Sequence, residues 1–193
     1  MLRSRLNAFL HQRLRLPDKD YYADLDQETL WELKSVLSDI NNIFTMKVCL
    51  GFVQWLSKSL GLSDSVRQHI EYSTLRNSPN ANGYDVEISD PINVIAEVKC
   101  NVPINRGAVY GPAQRNGIAK DVESLIRGKN KSRMVPDECL KFLVLSDTPN
   151  IRQATKHFFK NMRKHQDKIV FVSPDVRPEQ LDKVYVVHVN HVA

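Results

Sequence analysis

Residues 84–100 constrain this chain more than any other stretch. Tyr84, Val86 and Ile88 alternate with Asp85 and Glu87, and Ile92, Val94, Ala96, Val98 and Cys100 alternate with Asn93, Ile95, Glu97, Lys99 and Asn101. Ser89-Asp90-Pro91 lies between the two runs and has the composition of a turn. A period of two belongs to a strand, whose successive side chains leave opposite faces. The stretch therefore predicts two short strands joined by a tight turn.

The flanking pattern is different. Residues 24–37 place Leu25, Leu30, Leu33, Val36 and Leu37 near the 3.6 period of a helix. Residues 43–60 are densely apolar and predict a buried helix that stops at Gly61. Ser63 caps a third helix carrying Val66, Ile70, Tyr72 and Leu75. Residues 77–83 form a loop rich in Asn, Pro and Gly. After the strand pair, a helix is expected over 114–126, a buried strand over 141–146 and a basic helix over 150–164. Valine-rich strands are expected over 168–173 and 183–190. Trp31 and Trp55 fall in apolar helical patterns and are expected in the core. The fold class is α/β: a mixed central sheet flanked by helices, with a helical N-terminal region. The chain divides into that region, residues 1–62, and an α/β core, residues 63–193, the two making one continuous domain.

The strand pair carries the chemistry. Glu97 and Lys99 are two apart and project from one face. Asp85, on the preceding strand, reaches the same side. Two carboxylates at one end of a hairpin are hard oxygen ligands for Mg²⁺, and the main-chain carbonyl of Val98 is a candidate third ligand. Lys99 would hold the attacking water and offset phosphate charge. Acid-x-Lys is a weak motif by itself, and Glu32-Leu33-Lys34 repeats it, with Asp20 at the same interval before Glu32. That copy lies in a helical pattern, where side chains two apart diverge. Only Glu97-Val98-Lys99, which lies in a strand pattern, is expected to form a site.

With Asp85, then Glu97-Val98-Lys99 on the next strand, then a helix and a buried strand, the chain resembles the PD-(D/E)XK nuclease superfamily over roughly residues 63–171. The resemblance implies a restriction endonuclease-like fold and Mg²⁺-dependent hydrolysis of DNA leaving a 5′-phosphate, with Mn²⁺ able to substitute. It gives Glu71 a role as an acid facing the metal from the preceding helix. It places Gln114, Arg115 and Lys120 on the helix that approaches the scissile phosphate. Asn101, beside Lys99, and Arg106, in the loop that follows, complete the expected DNA contacts. Tyr84 stands where the family has proline, and no Q-x-x-x-Y motif follows the next helix.

Charge is consistent with a polyanionic partner. Residues 99–133 hold eight basic and two acidic side chains, and residues 151–168 hold six and one. Cys49, Cys100 and Cys139 form no C-x-x-C pair, which points to reduced thiols and a cytoplasmic setting rather than to zinc or disulfides. No unbroken apolar run approaches the roughly 20 residues of a membrane span, and no membrane partner is expected. The basic, amphipathic start of the chain is expected to be a surface helix with its leucines inward. The expected activity is that of a metal-dependent DNA endonuclease, with a homodimer as the expected assembly. The alternatives are a non-catalytic nucleic-acid-binding protein on the same fold and an interaction protein that dimerises through residues 43–60.

Overall fold

The computed structural model describes residues 2–76, 83–105, 107–172 and 177–191. Helices α1 (Leu2–Leu14), α2 (Gln27–Leu60) and α3 (Asp64–Arg76) precede strands β1 (Val86–Ile88) and β2 (Val94–Lys99). Then follow α4 (Pro112–Arg127), β3 (Leu140–Ser146), α5 (Pro149–Asn161), β4 (Ile169–Phe171) and β5 (Val184–Val189). The five strands form one mixed sheet in the order β1-β2-β3-β5-β4. β1 is antiparallel to β2, with Val86 opposite Ala96, while β3, β5 and β4 continue in the sense of β2. The Asp90–Pro91 peptide in the β1–β2 turn is cis.

The chain falls into two compact units, Met1–Asn41 and Asn42–Ala193. The division lies inside α2, about twenty residues before the boundary expected from the sequence. The two helices expected at 24–37 and 43–60 are one continuous helix. Its buried residues begin only at Val48 and include Cys49, Phe52, Val53 and Leu56. By length and composition α2 is apolar enough to cross a bilayer. A count of unbroken apolar runs points the other way, because scattered polar residues interrupt the sequence. In the first unit, Arg3 and Asn7 of α1 both donate to Asp20, and the Tyr21 hydroxyl donates to the Pro17 carbonyl. Leu6 and Leu10 are half-buried and Leu14 is exposed, so α1 buries less than its pattern promises. Trp31, expected in the core, is 72% exposed.

In the second unit the sheet is covered on both faces. Val94, Ala96, Val98, Phe142, Val144, Tyr185 and Val187 pack against α2 and against Ile70 of α3. Ile95, Leu143, Leu145, Val184 and Val186 pack against Ile118, Val122 and Leu125 of α4 and against Ala154, Phe158 and Phe159 of α5. Strands covered on both sides read as nearly continuous apolar runs rather than as alternation, which is why every residue of β2 except Lys99 is buried. Trp55 packs on this core, stacked with Phe52 and edge-on to Phe142. Gly51 of α2 brings the helix so close to the chain after β5 that a Cβ there would lie 2.1 Å from the Asn190 carbonyl oxygen. Gly61 ends α2 with φ +68°, as a left-handed stop requires.

Candidate active site

β2 projects Ile95, Glu97 and Lys99 toward α4. Register places Asp85 level with Glu97, one residue beyond the start of β1. The Asp85 carboxylate does not simply point away from the sheet. Its Oδ2 accepts from the Val98 N–H at 2.7 Å, continuing the β1–β2 pairing with a side chain in place of a carbonyl. The N–H and C=O of one strand residue point the same way, so the Val98 carbonyl lies on the Asp85 side of β2. Asp85 and the Val98 carbonyl thus lie where the antiparallel pairing ends, with Asp85 level with Glu97 in the register. Glu32 and Lys34, the competing copy, lie within α2 and form no such arrangement.

Glu97 is the unusual member. Its side chain is 4% exposed, and its Oε1 is paired with Lys129 Nζ at an angle that makes no well-directed hydrogen bond. Burial pushes the Glu97 carboxyl up to about 7; the Lys129 ammonium opposes this, and the Asp85 charge adds to it. Lys99 makes no ion pair with Asp85 or Glu97. Its Nζ lies 2.8 Å from Asp121 Oδ2 of α4.

Lys129 and Asp121 are therefore site residues that sequence reasoning misses. Lys129 follows Gly128, whose φ of +96° ends α4. Besides Glu97, its ammonium donates to the Gly83 carbonyl at 2.8 Å and lies 5.1 Å from the centre of the Tyr84 ring. Tyr84 is anchored in turn by its hydroxyl, which donates to the Ser124 carbonyl of α4, and by its N–H, which donates to Glu87 Oε1. Tyr84 thus forms an aromatic floor under Lys129. The one signal in the sequence is charge: both residues belong to the basic run, Lys129 among its bases and Asp121 as one of its two acids.

The remaining expected residues are distributed as follows. Glu71 lies on α3, whose Ile70 packs on the opposite face of the sheet, and it is paired with Arg67 at 2.8 Å. Among the described residues no group of three His, Cys, Asp or Glu side chains is close enough to hold a metal, so Glu71 does not join Asp85 and Glu97. Gln114 spends both ends of its amide locally: Oε1 accepts from the Gly111 N–H, and Nε2 donates to the Val102 carbonyl. This fixes the start of α4. Arg115 and Lys120 are exposed on α4, and Asn101 is half-buried just after β2. Arg106 lies outside the described residues.

α5 turns Arg152, Lys156 and Lys160 to solvent. Part of the basic charge is already committed. Glu123 is held down to about 2 by hydrogen bonds from Lys164 and His165 and by the charge of Arg127. Arg152 is bound to Asp147. All three cysteines are free thiols, and burial raises each of them, with the Asp85 charge adding to the rise at Cys49 and Cys100.

Two carboxylates and a main-chain carbonyl are the hard oxygen ligands that a small divalent cation takes, and among the described residues no further acidic, thiol or imidazole side chain joins them. Glu97 supplies a buried oxygen without a well-directed hydrogen bond, and an ammonium already stands beside it. Asp85 is close enough for its charge to raise the Glu97 carboxyl. Comparison with protein-family models, with curated proteins and with solved structures gave no match to this chain.

Proposed function

We propose that this protein is a metal-dependent DNA endonuclease with a restriction endonuclease-like core of the PD-(D/E)XK type. One observation carries the reading. Glu97 and Lys99 leave the same face of a central strand while Asp85 is clamped to the Val98 N–H between them. Asp85, Glu97 and the Val98 carbonyl would hold Mg²⁺ or Mn²⁺, which supplies Lewis-acid stabilisation of the phosphate and lowers the pKa of water. Lys99, set in place by Asp121, orients the attacking water and offsets charge that builds on the phosphate oxygens. The water oxygen forms a bond to phosphorus as the P–O3′ bond breaks. The 3′ oxygen leaves and takes up a proton, the water gives one up to solvent, and the products carry a 5′-phosphate and a 3′-hydroxyl. Arg115 and Lys120 on α4 and the solvent face of α5 supply basic surface for the DNA backbone. A homodimer would bring two such centres to the two strands of a duplex.

A second reading has support in the same geometry. Glu97 and Lys99 are each charge-paired within the protein, with Lys129 and Asp121, and this also suits a protein that binds DNA without cutting it. Cleavage of duplex DNA with Mg²⁺ or Mn²⁺, with and without EDTA, separates the two. The endonuclease reading expects EDTA-sensitive nicking and a loss of about 10²–10³ in rate for Lys99→Ala, the scale of one removed electrostatic stabiliser. Salt-sensitive binding without cleavage would establish the second reading. Cleavage by Lys99→Ala at the wild-type rate would refute the role assigned to Lys99 and, with it, the catalytic constellation.

A further inference from the structure

We propose that Lys129 occupies the cation seat of the resting site, so that a divalent ion enters by displacing it from Glu97. The inference rests on the endonuclease reading and adds to it an autoinhibitory contact. The Glu97 side chain is 4% exposed, so water does not share its charge, and only a cation held inside the site can stabilise the ionised form. Lys129 is that cation now. Its contacts bracket the two acidic ligands: Glu97 Oε1 on β2, then the Gly83 carbonyl and the Tyr84 ring directly before Asp85.

The oxygen that Lys129 neutralises is the one a metal needs. Asp85 Oδ2 already accepts from the Val98 N–H, whereas Glu97 Oε1 has no well-directed hydrogen bond and only the Lys129 ammonium beside it. Lys99 is not in the way, being held on Asp121. The Lys129 side chain is 25% exposed, so it has a path toward solvent, and the Gly83 carbonyl and Tyr84 ring remain to receive it. A doubly charged ion gains more from the two carboxylates than an ammonium does, and the exchange then runs toward the loaded site.

Calorimetric titration with Mn²⁺ tests this without reference to cleavage. Lys129→Met is expected to bind Mn²⁺ about tenfold tighter than wild type or more, because the competing charge is gone. Lys131→Met, which removes an equal charge from the same exposed loop, should leave affinity unchanged. If the wild type binds Mn²⁺ and Lys129→Met binds it no tighter, the displacement is wrong while the metal site stands. Equal tightening in Lys131→Met also overturns it, since the effect is then general. If neither wild type nor Lys129→Met binds Mn²⁺, the endonuclease reading fails and the inference falls with it. Should Lys129→Met be unfolded in the absence of metal, Mn²⁺ must restore its melting transition; failure to do so counts against the proposal.

Discussion

Replacing Glu97 by Gln should shift stability toward the variant, relative to wild type, as the pH rises. The Glu97 carboxyl is raised from 4.5 to about 7, chiefly by burial. In the native protein it therefore holds its proton over a range where the unfolded chain has already lost it. Between about pH 4.5 and 7 the native state binds more protons, so stability falls as pH rises through that window and the loss is complete above it. At about 1.36 kcal/mol for each pKa unit, the ionised form carries a penalty of about 3 kcal/mol. Gln carries none and resembles the protonated acid. Lys129 keeps the Gly83 carbonyl and the Tyr84 ring in the variant. The stability difference, variant minus wild type, should thus grow by about 2–3 kcal/mol between pH 5 and pH 8. Urea unfolding read by tryptophan fluorescence is a suitable assay, since Trp55 packs on Phe52 and Phe142 while Trp31 is exposed and gives a constant background. A difference that stays level from pH 5 to 8 would show that Glu97 is ionised throughout, and the account of its burial would be wrong.

His188 should act in the opposite direction. Burial and the charge of Arg152 lower it from 6.5 to about 4, against the pull of Asp147. The unfolded chain then binds the extra proton first, and stability is lost as pH falls from about 6.5 toward 4. His188→Gln should gain stability relative to wild type by roughly 1–2 kcal/mol as the pH falls from about 6.5 toward 4, once partial solvent access is allowed for; a variant-minus-wild-type difference that does not change with pH in urea titrations refutes it. Since Glu97 and His188 oppose each other between about pH 4.5 and 6.5, the wild-type profile there is flatter than either single variant. Two glycines of helices should also diverge. Gly51→Ala drives a Cβ into the Asn190 carbonyl and should lower the melting temperature by several degrees, on the scale of about 1–3 kcal/mol for overpacking. Gly117→Ala in α4 meets open space and should raise stability by up to about 1 kcal/mol through helix propensity alone. A melting temperature for Gly51→Ala equal to wild type would mean that α2 and the end of β5 are not in close contact.

Much of this arrangement was legible in the sequence. The strand pair, the turn at Asp90–Pro91, α4, β3 and α5 each follow from local periodicity, and their ends differ from expectation by only a few residues. The shared face of Glu97 and Lys99 needed nothing beyond the two-residue period. What that period hid was depth. Alternation suggests one wet face, yet β2 runs parallel to β3 and is covered on both sides, so Glu97 is a buried carboxylate rather than a surface one. Its partner Lys129 is 32 positions away, brought back only when α4 crosses the sheet, and no local pattern announces such a contact. Glu71 failed to join for a related reason. Its helical position was readable, but which face of the sheet α3 would cover was not. Trp31 looked like core because residues 24–37 carry leucines and a valine near helical spacing, and only the tertiary structure shows that burial in α2 starts at Val48.

The bond from the Val98 N–H to Asp85 has a practical consequence for anyone dissecting this centre. Asp85 serves as a clasp for the backbone, since its carboxylate fastens the Glu97–Val98 peptide of β2 on the side where β1 has run out. Its removal loosens the very strand that displays Glu97 and Lys99. An inactive Asp85→Ala protein would therefore confound two failures. The companion substitution at Glu97, which leaves that clasp closed, is the cleaner instrument for asking whether this end of β2 takes a cation.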